Sequence, residues 1–167
     1  MRCRTLSTLA ALVLCTPAAL ADDDGALVTY QSLKPEFAIK AATAAMEHCR
    51  EQGYQVGVAV VDRSGMLQTF VRDRFAGGHT VETATRKAWT AVSFRTNTSE
   101  LDEATRPGTI SAGIRQISQA LPLGGGMMIE SAGSLVGGIG VSGAPGPDLD
   151  DVCAEAGIAA IEDELGF

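Results

Sequence analysis

The chain has 167 residues, a formal net charge of -7 and 46% hydrophobic residues, which suits one globular domain and excludes a mainly disordered chain. Acidic residues outnumber basic ones 20 to 13, and aromatic residues make up only 5%. Neither phosphate contacts nor base stacking is favoured by this composition, so we expect no nucleic-acid partner.

The first 21 residues have the order of a secretory signal peptide. Arg2 and Arg4 precede an apolar stretch, and small residues flank Leu20 at a cleavage site that ends at Ala21. The apolar stretch is shorter than the roughly 20 residues that span a bilayer, which disfavours a membrane anchor. We therefore expect cleavage after Ala21 and a periplasmic or secreted protein.

The exported chain is expected to have two parts. Residues 22–31 are predicted to form a loose N-terminal arm, and residues 32–167 a single domain. Two cysteines remain after cleavage, Cys49 and Cys153, and export places them in an oxidising compartment.

Hydrophobic periodicity predicts two helices and a hairpin in the first half of the domain. Alanines recur at i+3 and i+4 spacing before a stop at Gly53, and an apolar run leads into a turn at residues 62–65. The predicted elements are a helix at 32–52, strands at 56–61 and 66–72, and a helix at 80–94. The stripe of the second helix that should face the core consists of Val81, Ala84, Ala88 and Val92.

The second half predicts another hairpin and a last helix. Gly108 and Gly113 leave residues 107–121 ambiguous, although isoleucines there have helical spacing. The predicted elements are a short helix at 99–104, strands at 127–130 and 135–142, and a helix at 149–165. Two hairpins flanked by helices predict an α+β fold with an antiparallel sheet.

Two glycine-rich segments resemble cofactor loops. Residues 138–143 spell G-x-G-x-x-G, but the motif lies inside a predicted strand and lacks the βαβ unit of a dinucleotide site. Its glycines instead indicate either a close approach of neighbouring backbones or β-bulges. Residues 124–126 are three glycines without the lysine of a P-loop, which leaves a flexible loop or a backbone segment that binds an anion.

Two histidines are the candidate metal ligands. His79 and Glu82 lie one helical turn apart, a spacing that suits a metal ion as well as an exposed helix start. His48 lies between Glu47 and Glu51, which fits either a surface histidine or a site for free iron.

Several strings in chain order form a pattern that no single motif has. They are VAVVDRSG at 58–65, TRKAWTA at 85–91, TSEL at 98–101, GGGMMI at 124–129, VGGIGVSG at 136–143 and the segment 148–154. In this order they resemble the GlcG/HbpS family, also called the haem-degrading domain family, over about residues 37–160. One departure is Met128, where that family usually has proline.

The resemblance implies a profilin-like α/β sandwich, with an antiparallel sheet flanked by helices on both faces. It also implies an exported haem-binding homo-oligomer that stores, buffers or delivers haem and iron. Further roles that it implies are haem degradation and redox sensing with a membrane sensor or redox partner. Other members are associated with glycolate or diol metabolism, so the alternative is a non-haem accessory protein that binds a small carboxylate or acts only through protein partners.

Candidate haem contacts follow from this resemblance. Haem iron commonly takes His, Cys, Met or Tyr as an axial ligand, and we expect His79, in a glycine-rich loop, to be that ligand. Arg72 and Arg74 lie near it in sequence and are expected to pair with the haem propionates. Thr98, in the TSEL segment, is the second expected contact, and His48 is the competing imidazole.

The two cysteines are expected to form a disulfide. Cys49 and Cys153 lie on the first and last predicted helices, which can share one face of the sheet, and bridging requires Cα atoms within about 7 Å. The link would close a loop of about 100 residues, worth up to about 4.7 kcal/mol in the chain-entropy model. Two separately buried thiols are the alternative.

Self-association is expected from the helix predicted at 80–94. Lys87, Trp89 and Phe94 lie off its inner stripe, and a helix with an apolar second face often meets another subunit.

Overall fold

A computed structural model describes residues 25–166. The predicted signal peptide lies outside this range, as does the start of the predicted arm, and residues 25–30 are exposed without regular secondary structure. From Gln31 onward the described residues form one compact unit. Its main elements are α1 (Pro35–Glu51), β1 (Gly57–Asp62), β2 (Leu67–Arg72), α2 (Thr80–Phe94), α3 (Thr98–Ala104), β3 (Gly126–Ser131), β4 (Ser134–Ser142) and α4 (Pro147–Ala159). Short 3-10 helices at Ala112–Gln116 and Glu162–Glu164 complete the described chain, in which no helix has the length and apolarity to cross a membrane.

The strands form an antiparallel sheet in the order β2-β1-β4-β3. Each hairpin turn follows from its local sequence. Oδ1 of Asp62 accepts hydrogen bonds from the N–H groups of Ser64 and Met66, at 2.8 and 3.0 Å. Ala132 and Gly133 both have positive φ, as a two-residue turn between twisted strands requires. The predicted hairpins and the α+β class are therefore confirmed.

Helices α1 and α4 cover one face of the sheet and enclose the larger core. Alanines of α1 pack there with valines and isoleucines of β1 and β4. Cys49 in α1 and Cys153 in α4 are joined by a disulfide, with their Cα atoms 5.5 Å apart and a sequence separation of 104. The expected disulfide is confirmed, and it fixes the two helices to each other.

Helix α2 covers the opposite face and lies unusually close to β4. A Cβ atom on Gly140 would lie 2.1 Å from the carbonyl oxygen of Ala84, and one on Gly138 would lie 2.6 Å from Cγ1 of Val92. Real Cβ atoms do not make such contacts, so these glycines allow the helix backbone to pack directly on the strand. This confirms that the glycine motif serves close packing.

The structure corrects two expectations for α2 and α4. Val81, predicted to face the core, is 47% exposed, whereas Lys87, predicted to lie off the inner stripe, is 1% exposed. The reason for Lys87 is an ion pair with a residue of α4. That helix ends at Ala159 rather than near residue 165, because the chain continues into the 3-10 turn that begins at Glu162.

Gly140→Ala tests the close packing of α2 on β4. Because the added methyl group meets helix backbone, which cannot move aside as a flexible side chain can, we expect unfolding free energy to fall by at least about 2 kcal/mol. Urea denaturation measures the loss. Gly113→Ala is the matched control, since no atom lies within 4 Å of its added Cβ, and an equal effect of both substitutions would contradict the packing argument.

Candidate functional site

A cavity of about 270 Å³ lies where β4 ends and where α2 and α4 begin. Its wall includes a histidine and a buried lysine–aspartate pair, and neither lines a larger cavity of about 540 Å³ beside residues 31–37 and 164–166. The polar side chains that line the smaller cavity are those of His79, Thr83, Lys87, Ser142 and Asp150. This convergence makes it the candidate functional site.

A buried ion pair forms part of the cavity wall. Nζ of Lys87 lies 2.7 Å from Oδ2 of Asp150 and donates a second hydrogen bond, 2.9 Å long, to the carbonyl oxygen of Val141. Oδ1 of Asp150 accepts a hydrogen bond from the N–H of Ala144 at 3.0 Å. Burial raises the pKa of the Asp150 carboxyl, and the charge and hydrogen bond of Lys87 oppose this rise. The pair joins α2 to α4 with no net charge.

Two hydroxyl groups lie beside this pair. Oγ1 of Thr83 is 2.6 Å from Oγ of Ser142 and 3.0 Å from the carbonyl oxygen of His79. Thr83 stands on the first turn of α2, and Ser142 is the last residue of β4, so the packing of helix on strand brings them together. The result is a hydrogen-bonded chain from the cavity wall to the backbone at the start of the helix.

His79 lies at the cavity edge as the N-cap residue of α2, and it is exposed. Its imidazole folds against the preceding loop, where a Cβ atom on Gly77 would lie only 2.6 Å from Cε1. Glu82, considered as a second metal ligand, is instead 3.1 Å from Nη1 of Arg86. His79 therefore presents an accessible imidazole that lies against Gly77 of the preceding loop.

The two expected arginines lie on the segment that leads to His79. Nη1 of Arg72 donates to the carbonyl oxygen of Ala76 at 2.5 Å, which closes the loop after β2. The Arg74 side chain is 69% exposed and lies 3.8 Å from Oδ1 of Asp73. Arg74 is thus accessible to an anionic ligand, while Arg72 also holds the loop.

Thr98 has a different place in the structure. Its side chain is fully buried, and its hydroxyl accepts a 2.8 Å hydrogen bond from the N–H of Gly126 and lies 3.2 Å from the carbonyl oxygen of the same residue. Oδ1 of the neighbouring Asn97 accepts from the N–H of Met128 at 3.1 Å. Together these side chains hold the edge strand β3.

Two of the glycines at 124–126 donate hydrogen bonds within the domain. The N–H of Gly125 donates to Oδ1 of Asp151 at 2.5 Å, and the N–H of Gly126 bonds to Thr98. A Cβ atom on Gly125 would lie 2.9 Å from Nζ of Lys87. These two N–H groups are used inside the domain, and the absence of side chains leaves room for the ion pair.

The two histidines are not brought together. His48 is half-buried on α1, which packs on one sheet face, and His79 begins α2 on the other. Within residues 25–166 no group of three or more His, Cys, Asp or Glu side chains is placed to hold a metal ion. The two imidazoles therefore cannot bind one metal ion together, and each is a separate candidate ligand.

The loop before His79 depends on Asp73. This buried carboxylate accepts 2.7 Å hydrogen bonds from Nε of Arg50, at the end of α1, and from the N–H of Arg74. The Arg50 guanidinium lowers the pKa of the Asp73 carboxyl, against the effect of burial. The folded state therefore favours the charged form.

Protonation of Asp73 at low pH should weaken its interaction with Arg50. Because the pKa of Asp73 is lower in the folded state, its stabilising effect is complete above its unfolded pKa, about 3.9, and is lost as pH falls through the lower folded value. We expect the free energy of unfolding of Asp73→Asn to lie furthest below that of wild type at pH 6. The difference between the two proteins should shrink below about pH 4. Urea denaturation across pH measures it. Asp163→Asn, at an exposed position, is the control, and a constant difference for Asp73→Asn would contradict the assignment.

Fold and cavity define a small α+β sandwich with a polar cavity at one end of its sheet. The sequence matches the family described as haem degrading protein HbpS-like over residues 33–159. The chain belongs to this HbpS-like family, as its sequence strings indicated.

Solved structures agree with this membership. The crystal structure of HbpS is 42% identical, with a TM-score of 0.75, covering 80% of this chain and 93% of that one. The crystal structure of a PduOC haem complex is 31% identical, with a TM-score of 0.73, covering 78% of this chain and 95% of that one.

A longer protein also contains a similar region. The corrinoid adenosyltransferase PduO of Citrobacter freundii is 36% identical over 120 residues, which cover 71% of this chain. The match takes in 36% of the length of that enzyme, so the similarity concerns about a third of it.

The sequence reasoning identified His79 but missed the other polar groups of the cavity. Lys87 and Asp150 are 63 residues apart, and Thr83 and Ser142 are 59 apart. Lys87, Ser142 and Asp150 lie in the segments that resemble the family, but neither the segments nor their spacing shows which side chains meet. Only the packing of α2 on β4 shows that they meet.

Proposed function

We propose that this protein binds haem outside the cytoplasm and stores, buffers or delivers it, with redox sensing or haem degradation as further roles. The observation that carries the proposal is the exposed imidazole of His79, held on a glycine loop at the edge of a polar cavity. Its support from relatives is membership in the HbpS-like family and the haem complex of PduOC.

The residues present suit haem. An imidazole is a common axial ligand of haem iron, and His79 is accessible. Arg74 is exposed on the same loop and suits a propionate, whereas the buried hydroxyl of Thr98 is the weaker candidate contact. Bound haem would supply iron-centred redox chemistry, and the chain would supply the ligand and charge partners.

Export is part of this proposal. The residues before position 22 have a signal-peptide pattern, and the Cys49–Cys153 disulfide suits an oxidising compartment. A periplasmic or secreted location would place the protein where it meets haem before uptake into a cell.

Haemin titration of two matched variants tests the ligand. We expect His79→Ala to weaken haemin binding at least about tenfold and to shift the Soret band, because the iron loses its proposed axial nitrogen. His48→Ala removes the other imidazole and should leave both affinity and band position unchanged. Absorbance titration of the purified protein measures these quantities.

Other outcomes discriminate the alternatives. Unchanged binding in the His79 variant with loss in the His48 variant would move the site to α1. Failure of wild-type protein to bind haemin would favour the non-haem accessory protein. Release of biliverdin-like products with a reductant would identify haem degradation.

Self-association is also proposed, on the basis of exposed apolar side chains on a surface separate from the cavity. An apolar surface is available beside α2. Met66 and Leu67 are 67% and 50% exposed, and Trp89 lies next to them over Gly65. We name these residues the Trp89 surface.

The Trp89 surface can be tested with a charge substitution. We expect a multiple of the monomer mass for wild type and a lower mass for Met66→Asp, because a buried carboxylate in an apolar interface is costly. Light scattering at micromolar concentration measures both. Val152→Asp, at a position 46% exposed on α4, is the control that should keep the wild-type mass. A monomeric wild type, or an unchanged Met66→Asp, would contradict this interface.

A further inference from the structure

The cavity at the end of β4 has hydrogen-bond donors that the protein does not use. Nζ of Lys87 has three N–H groups, and acceptors among residues 25–166 take two of them, Oδ2 of Asp150 and the carbonyl oxygen of Val141. Both oxygens of Asp150 already accept hydrogen bonds. One N–H group of Lys87 therefore has no acceptor among these residues.

The hydroxyl chain adds a second donor. When Thr83 donates to Oγ of Ser142, the Ser142 hydrogen has no acceptor among the described residues. When Thr83 instead donates to the carbonyl oxygen of His79, Ser142 can donate to either Thr83 or a ligand. Ser142 is only 6% exposed, so its hydroxyl lies in the wall of the cavity rather than in open solvent.

The N-terminal ends of two helices border the cavity. α2 begins at Thr80 and α4 at Pro147, and residues at both starts line the wall. The N-terminal end of a helix carries a partial positive charge, while the Lys87–Asp150 pair contributes none. Glu82 in the first turn of α2 and Asp148 in the first turn of α4 offset part of this positive charge, so recognition of a ligand depends mainly on the donors of Ser142 and Lys87.

We propose that this cavity binds a carboxylate group, with the Ser142 hydroxyl as its principal donor and Lys87 as support. The group could belong to a free small carboxylate or to a haem propionate, and only the second source rests on the proposed haem function. A carboxylate fits better than a doubly charged phosphate, because the wall offers few donors and no arginine. His79 would then lie at the edge of the same site.

Sodium propionate is the direct probe. We expect saturable shifts in the amide NMR signals of residues 142–144 on titration of the wild-type protein. Ser142→Ala should weaken binding about tenfold or more, the loss expected for one hydrogen bond to a charged group. Ser134→Ala, at the exposed other end of β4, is the matched control and should bind as wild type does. Thermal denaturation of both variants verifies that they fold.

Haemin and its dimethyl ester distinguish the two sources. If a haem propionate occupies the site, wild type should bind haemin several-fold more tightly than the ester, and Ser142→Ala should abolish that difference. If the ligand is a free carboxylate, the two porphyrins should bind alike while the propionate shifts remain.

The outcomes separate this proposal from the haem function. Propionate shifts that depend on Ser142, without any haemin binding, would support the carboxylate site and overturn the haem function. The carboxylate site is overturned if propionate produces no saturable shifts and esterification of haemin changes nothing. It is also overturned if Ser142→Ala behaves as wild type in every titration.

Discussion

The buried ion pair between Lys87 and Asp150 joins the two layers of helices at the end of β4. Removing either partner would leave an uncompensated charge in the interior, which commonly destabilises a protein by about 3–5 kcal/mol. The residues around the pair pack closely against it. Gly125 has a φ of +107°, and a Cβ atom there would lie 2.6 Å from the carbonyl oxygen of Val141 and 2.7 Å from Cβ of Asp150, so this position has no room for a side chain. The N–H of Ala144 donates to the other oxygen of Asp150. The cavity exists because these contacts set where β4 stops and α4 starts.

Local chemistry made much of the fold predictable. The side chain of Asp62 and the Ala132-Gly133 pair form hairpin turns through contacts within a few residues, so their sequences are informative. The glycines of β4 also allowed a prediction, because positions without a side chain let a neighbouring backbone pack close to the strand. Val81 and Lys87 were misplaced because periodicity assigns a lysine to solvent, and its partner lies 63 residues away.

The candidate site was less predictable for the same reason. His79 could be found because imidazole is rare in this chain and chemically distinctive. Thr98 was noticed through its segment, but its observed contacts run to β3, where it and Asn97 supply hydrogen bonds that a further strand would otherwise make. Ser142 lies in the VGGIGVSG segment, but that segment does not indicate a role for its hydroxyl. Its importance depends on the hydroxyl of Thr83, which approaches only when helix and strand are packed.

The order of strands has a consequence for how the chain is made. The central strand β1 comes from the N-terminal half, but its partner β4 comes near the end, and Cys49 leaves the ribosome 104 residues before Cys153. Until β4 is synthesised, one edge of β1 has no neighbour, and exposed edges recruit other chains. A nascent or truncated chain would therefore be prone to aggregation, and factors that shield it would act mainly before residue 142 emerges.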